Sequence, residues 1–306
     1  MRIAIIGRSE TLFESTQLLL SKGHEIVCLV TSKEAPEYTK TSEDFRKLAE
    51  DLRVPFALSP SSANLENIVE KTRPQIGVSC NYTFVIPEAV ISRIPLGILN
   101  AHGGDLPRYR GNACQAWAII NGEDRIGLCI HRMVGGELDS GDIISRKYLE
   151  IDQNTKIGSV LSWINQQVPS MMRDAVEILS VDPNFILERQ STDSKSALRC
   201  YPRNPDDGRI DWRLSATEVL RLINASGKPY SGAFCTLEGN KVIIWDAELV
   251  DDGEVFSAVP GQVVKVGLNF VDVACGVGKL RLRSIQRDSD EFISSVLVKS
   301  IRQRFK

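Results

Sequence analysis

No two of the seven cysteines in this 306-residue chain are close enough to form a C-x-x-C clip, and none joins a histidine at zinc-ligand spacing. Neither a metal cluster nor a disulfide framework is expected. Cys28, Cys80 and Cys129 lie in apolar runs, where cysteine behaves as a small hydrophobe. An odd, scattered set of this kind suits a reducing cytoplasm. No apolar run approaches the roughly 20 residues of a membrane span, and the opening "MRIAIIG" lacks the shape of a signal peptide, so no membrane partner is expected. An excess of charge of either sign is also missing. Lys and Arg number 37 against 39 Asp and Glu, for a net charge of −2 and a pI of about 6.0. That balance gives no overall pull toward a polyanion, although a local basic patch would be enough for one. The first strand–helix turn, "IIGRSETLF", carries Gly7 alone. A dinucleotide turn needs three glycines and two are missing, so Gly7 reads as a plain strand-to-helix turn, NAD is not expected, and there is no P-loop. No serine or cysteine has the surroundings of an activated nucleophile. Cys114 in "GNACQAW" comes nearest, and its setting reads as a helix start.

What is present is an ordinary soluble composition, 42% hydrophobic and 25% charged, at a length that suits two domains. The first half alternates. "RIAIIG", "EIVCLVTS", "PFALSP", "QIGVSCNY" and "GILNAH" read as short buried strands. Between them stand helical patterns: "SETLFESTQLLLSKGH" with a stop at Gly23, "SEDFRKLAEDLRV" with Ser42 as N-cap, "SANLENIVEKTRP", and "PEAVISRIP" opened by Pro87. This βαβα order predicts a Rossmann-like, doubly wound, mostly parallel sheet with ligands outside the carboxyl ends of its strands. "IGSVLSWINQQVPSMMRDAVEILS" reads as a long helix. Beyond "CYPRNPDDGRIDW", one helix and several alternating strands with Gly or Asn turns predict a small β-barrel. The expected domains are 1–190 and 208–306, joined by a linker over 191–207.

The stretch "GILNAHGGDLPRYRG" (97–111) holds the chemistry. Residues i and i+2 of a strand share a face, so Asn100 and His102 project together at the end of a buried strand, before a Gly-Gly loop. Only three histidines are present. His24 reads as structural, and His131, ending "GLCIH", fits either role. Asp139, in the tight loop of "MVGGELDSGDII", is the natural carboxylate to orient an imidazole. A carboxamide N–H can hold an oxyanion, an imidazole can move a proton, and a carboxylate can tune that imidazole. The set suits acyl transfer without a covalent intermediate.

Residues 100–144, with Asn-x-His, Leu-Pro-x-x-Arg-Gly and Asp-x-Gly-Asp at these separations, resemble the formyltransferases that use N10-formyltetrahydrofolate. "YPRNPDDGRIDW", "PYSGAF" and "GKLRLRSIQ" extend the resemblance through the linker and an OB-like barrel. The resemblance implies that Asn100 stabilises the tetrahedral oxyanion, His102 shuttles the amine's proton and Asp139 supports the charged His102. It implies a pterin slot made by Phe84, Val85, Ile86 and Pro87 together with Val134, Gly135, Glu137 and Leu138, with the folate as co-substrate and neither metal nor NAD. The family usually has Ser-Leu where this chain has Gly104 and Asp105, and often Pro where it has Cys114.

Two acceptor amines fit the resemblance. The loop after the second strand, "TSKEAPEYTKTSED", has two lysines against four acids, poor for gripping tRNA phosphates. "QAWAIINGE" and "IHRMV" look more like a nucleotide-sugar enzyme. The expectation is therefore N-formylation of a nucleotide-linked amino sugar for surface polysaccharide such as lipopolysaccharide, with Arg108, Tyr109, Arg110, Asn112 and Arg203 as substrate contacts. Methionyl-tRNA formyltransferase is the alternative, the only one with tRNA as partner. An inactive ligand-binding relative is the third reading. A homodimer is the assembly expected by analogy.

Overall fold

The computed structural model describes every residue except Thr192, which falls in the expected linker and so lies outside the described residues. The chain divides into two compact units. The first comprises Met1–Cys114, Ile126–Leu149 and Leu161–Cys200, and the second Gln115–Arg125, Glu150–Val160 and Tyr201–Lys306.

The first unit is built on seven strands: β1 (Arg2–Gly7), β2 (Glu25–Thr31), β3 (Phe56–Leu58), β4 (Ile76–Cys80), β5 (Ile98–His102), β7 (Arg125–Arg132) and β8 (Ile143–Glu150). Their order is β3-β2-β1-β4-β5-β7-β8, and β6 (Tyr109–Gly111) pairs with β9 (Leu198–Cys200) as a separate two-stranded sheet. The pairs from β3 to β5 are parallel, and β7 runs antiparallel to β5. Helices α1 (Glu10–Ser21), α2 (Ser42–Leu52), α3 (Ser62–Thr72) and α4 (Glu88–Ile91) connect the parallel strands. The predicted α/β sheet is thus present, with one strand reversed beside the site.

Alternation along β1 explains why its run is apolar throughout. Ile3 and Ile5 pack into one core cluster with Leu12, Leu19 and, from α6 (Ile157–Val181), Met172 and Val176; Ala4 and Ile6 pack into another with Leu65, Val69 and Val90. A sheet covered on both faces needs such strands. Helix α2 is capped by Thr41 rather than Ser42. The Thr41 hydroxyl accepts from the Asp44 N–H while Asp44 accepts from the Thr41 N–H. Asp44 stands three residues after Thr41, which gives Thr41 the reciprocal box.

In the second unit, β10 (Ala233–Leu237), β11 (Asn240–Val250), β14 (Lys279–Arg287), β13 (Val271–Ala274) and β12 (Val263–Val266) form an antiparallel sheet in that order, with β15 (Asp290–Ile293) on β14. Residues 304–306 join its two edges. Phe305 bridges Leu237 at the end of β10, and Arg304 bridges Gln262 beside β12. This closes the strands around a core that includes Val219, Leu220 and Ile223 of α7 (Ala216–Ser226).

Candidate active site

Strand β5 separates its side chains by face. Leu99 and Ala101 enter the core beside Leu128 and Ile130 of β7. Asn100 and His102 point the other way. Because β7 is antiparallel, Asn100 lies opposite His131 and His102 opposite Cys129. Ser79 of β4 aligns with Asn100 on its other side. A polar row, Ser79–Asn100–His131, therefore crosses the buried sheet.

Asp139 completes the site. Its Oδ2 lies 3.5 Å from His102 Nδ1 and its Oδ1 3.4 Å from His131 Nε2. Gly111 N–H donates to Oδ2 at 2.9 Å. Burial opposes the carboxylate's charge. His102 beside it and the Gly111 N–H outweigh it and hold Asp139 well below the usual carboxylate range. The backbone of Asp139 is left-handed, φ 52°, which aspartate tolerates better than most side chains. Gln190 fixes it there, its amide donating to the carbonyls of Asp139 (2.9 Å) and Gly141 (2.6 Å). Arg110 in turn donates to Gln190 at 2.9 Å.

His102 Nε2 donates to the Tyr109 carbonyl at 2.6 Å, so Nδ1 is left facing Asp139. Gly104 makes that contact possible. A Cβ there would come within 2.5 Å of His102 Nε2 and closer still to the Tyr109 carbonyl oxygen. The other departure, Asp105, turns away from this chemistry and pairs with Arg146 at 2.6 Å, a side chain that also binds Glu188 and the Leu106 carbonyl. Cys114 opens helix α5 (Cys114–Asn121). A hydrogen bond with Cys200 and burial hold its thiol far above the ordinary range, which disqualifies it as a nucleophile.

The structure brings Asn100, His102 and Asp139 together. Phe84 and Val85 are about half exposed, and Val134 and Leu138 are also exposed, so two loops present apolar side chains. Ile86 is buried in the core and offers only backbone to a ligand, and Pro87 caps α4. Glu88, which the sequence did not mark, fastens the loops by accepting the Gly135 N–H at 2.9 Å. Gly135 packs against the Glu88 backbone, where a Cβ would collide. Glu137 is exposed.

The expected substrate contacts fare differently. Arg108 and Asn112 are exposed on the loop after β5. Tyr109 is 2% exposed, so its ring cannot meet a substrate; its carbonyl is what matters. Arg110 is a brace. Arg203 belongs to the second unit, where it stacks on Trp117 and donates to the Ala225 and Asp207 carbonyls and to Ser226. Arg110 and Arg203 are thus engaged by local acceptors, and Arg108 and Asn112 face outward.

Residues 1–176 match the family model described as formyl transferase, and residues 203–296 match its C-terminal domain. The chain belongs to the formyl transferase family. A methionyl-tRNA formyltransferase of Acetivibrio thermocellus is 27% identical over 294 residues, covering 94% of this chain and 93% of the relative. The N-formyltransferase from Helicobacter canadensis, solved with folinic acid and dTDP-3-aminofucose, has a TM-score of 0.67 at 15% identity, covering 94% of this chain and 99% of the other. HypX from Aquifex aeolicus, solved with tetrahydrofolic acid, has a TM-score of 0.63 at 18% identity over 98% of this chain and 47% of HypX, so the chain spans about half of HypX. At such identities the likeness to the solved structures is one of fold. Among the described residues no helix is long and apolar enough to cross a membrane, and no group of three or more His, Cys, Asp or Glu side chains could hold a metal.

Proposed function

We propose that this chain transfers a formyl group from N10-formyltetrahydrofolate to a primary amine, with Asn100, His102 and Asp139 as the acting residues. The observation that carries the reading is the convergence of a carboxamide, an imidazole and a carboxylate held ionised, with no activated nucleophile among them. The folate supplies an activated formyl carbon. Phe84, Val85, Val134 and Leu138 suit the flat faces of a pterin, and the loop backbones suit its edge. Asn100 offers N–H to the oxygen that gains charge as the amine adds. His102, with Asp139 against Nδ1, holds the proton the amine gives up.

For the acceptor, the sequence relative favours methionyl-tRNA, since it matches over nearly the full length of both chains. The nucleotide-linked amino sugar is the second reading. It is favoured by the loop after β2, whose Lys40 is turned onto Asp44 and the Phe13 ring, and by Arg8, which is bonded to the Lys33 and Asn81 carbonyls. Purified protein is incubated with N10-formyltetrahydrofolate and, separately, charged initiator tRNA and a panel of amino-sugar nucleotides, and the mass gain of one formyl group is sought. Formylation of the tRNA alone supports the first acceptor, formylation of a sugar alone the second. Transfer to none of these amines, with the folate still bound, sinks the catalytic reading.

A further inference from the structure

A carboxamide stabilises an oxyanion only if its N–H, and not its C=O, faces the reacting carbon. The two rotations of an asparagine differ little in shape, and the hydrogen-bond network around it decides between them. Asn100 therefore needs a neighbour that accepts but does not donate.

His131 has that character. It is 1% exposed and lies directly across from Asn100 on β7. Its Nδ1 is 2.8 Å from the Arg132 carbonyl oxygen, which accepts only, so the proton of the neutral ring sits on Nδ1. Nε2 then bears a lone pair, and Asn100 Nδ2 lies 3.2 Å from it. The lone pair attracts the amide N–H and repels the amide oxygen. Asp139 Oδ1, 3.4 Å from the same nitrogen, makes the opposite demand, because an ion pair there requires a proton on Nε2. One nitrogen cannot meet both: a neutral ring that spends its one proton at Nδ1 has none for Asp139, and the Asn100 contact is the shorter of the two.

We propose that His131 is a positioning residue for formyl transfer. As the neutral Nδ1–H tautomer it holds Asn100 by one amide N–H and leaves the second for the oxyanion. The inference rests on the catalytic reading of Asn100 above. Ser79, on the other flank of Asn100, has a buried hydroxyl with no hydrogen-bond partner among the described residues, so it does not share the task.

Two polar variants separate positioning from packing. His131→Asn keeps a polar atom near the Nδ1 position, able to bond the Arg132 carbonyl, and loses the group at Nε2. His131→Gln reaches the Nε2 position and can accept from Asn100. Formyl-transfer kinetics of both, of Asn100→Ala and of the Asn100→Ala/His131→Asn double variant form the test. His131→Asn is expected to lower kcat by about 10- to 100-fold, a share of the roughly 10²–10³ of an oxyanion donor, with the folate KM unchanged. His131→Gln recovers most of that loss. With Asn100 already removed, His131→Asn changes kcat by less than about twofold, because the two residues act through one contact. An equal loss with and without Asn100, or a His131→Gln enzyme no better than His131→Asn, overturns the proposal and leaves the catalytic reading standing. A wild-type protein that transfers no formyl group overturns both.

Discussion

Two aspartates with enclosed side chains stand in this chain under opposite regimes. Asp272, in the second unit, is fully buried and meets Arg281 through two parallel contacts, Nε to Oδ1 at 2.8 Å and Nη2 to Oδ2 at 3.0 Å, with the guanidinium stacked 3.8 Å over Phe270. Asp139, in the first, is shared by two imidazoles at 3.4 and 3.5 Å and one backbone N–H. Arginine is always charged and its fork matches a carboxylate, so Asp272 has one arrangement. An imidazole is a single-point partner with no such fork, so Asp139 is held by three separate contacts from different elements. A carboxylate that only holds a fold is given a permanent, bidentate partner. One that would take part in proton traffic, as proposed for Asp139, is given partners that can let go.

Removing the proposed proton carrier should have the largest effect. His102→Ala is expected to slow formyl transfer by about 10²–10⁴-fold, up to about 5 kcal/mol of barrier, while the denaturant midpoint moves little. Near-normal turnover would erase the distinction between the two aspartates. Asp272→Ala should do the reverse, lowering unfolding stability by about 1.5–3 kcal/mol because Arg281 loses its charge-assisted bidentate partner, with the rate per folded molecule kept; an unchanged melting curve would refute it. Asn100→Ala follows, at about 10²–10³-fold in kcat, read by single-turnover kinetics. Gly104→Ala should cost about 1–3 kcal/mol from overpacking against a backbone oxygen and also lower the rate by displacing His102. If thermal unfolding and rate are both untouched, the close approach at Gly104 is wrong. The smallest effect belongs to acid. Asp139 is depressed in the folded state, so its stabilisation is present above the unfolded pKa of about 3.9 and is lost as pH falls through the lower folded value. Asp139→Asn should therefore flatten the acid limb of the stability curve below about pH 4, and a limb as steep as the wild type's would count against the assigned partners.

The local signals read well. Apolar strand runs, helix patterns and the i, i+2 placement of Asn100 and His102 depend on residues near in sequence, and each of those strands forms at its expected place. What escaped were meetings across distance. His131 faces Asn100 only because β7 runs antiparallel to β5, and periodicity carries no strand direction. Gln190 reaches Asp139 from 51 positions away, and Arg146 reaches Asp105 from 41. Polar side chains with several possible partners leave no spacing to read. Tyr109 illustrates a different loss: its ring invited a substrate role, but its backbone carbonyl is the group that orients His102.

The Gln190 brace also orders events in time. Asn100, His102, His131 and Asp139 fall within 40 consecutive positions, so the entropy of bringing them together grows only slowly with the loops between them. The amide that pins the Asp139 turn comes 51 residues later. On a ribosome, the parts of the site are all made well before the residue that stiffens them. A chain halted between the two holds every group the proposed chemistry needs and lacks the amide that pins the Asp139 turn.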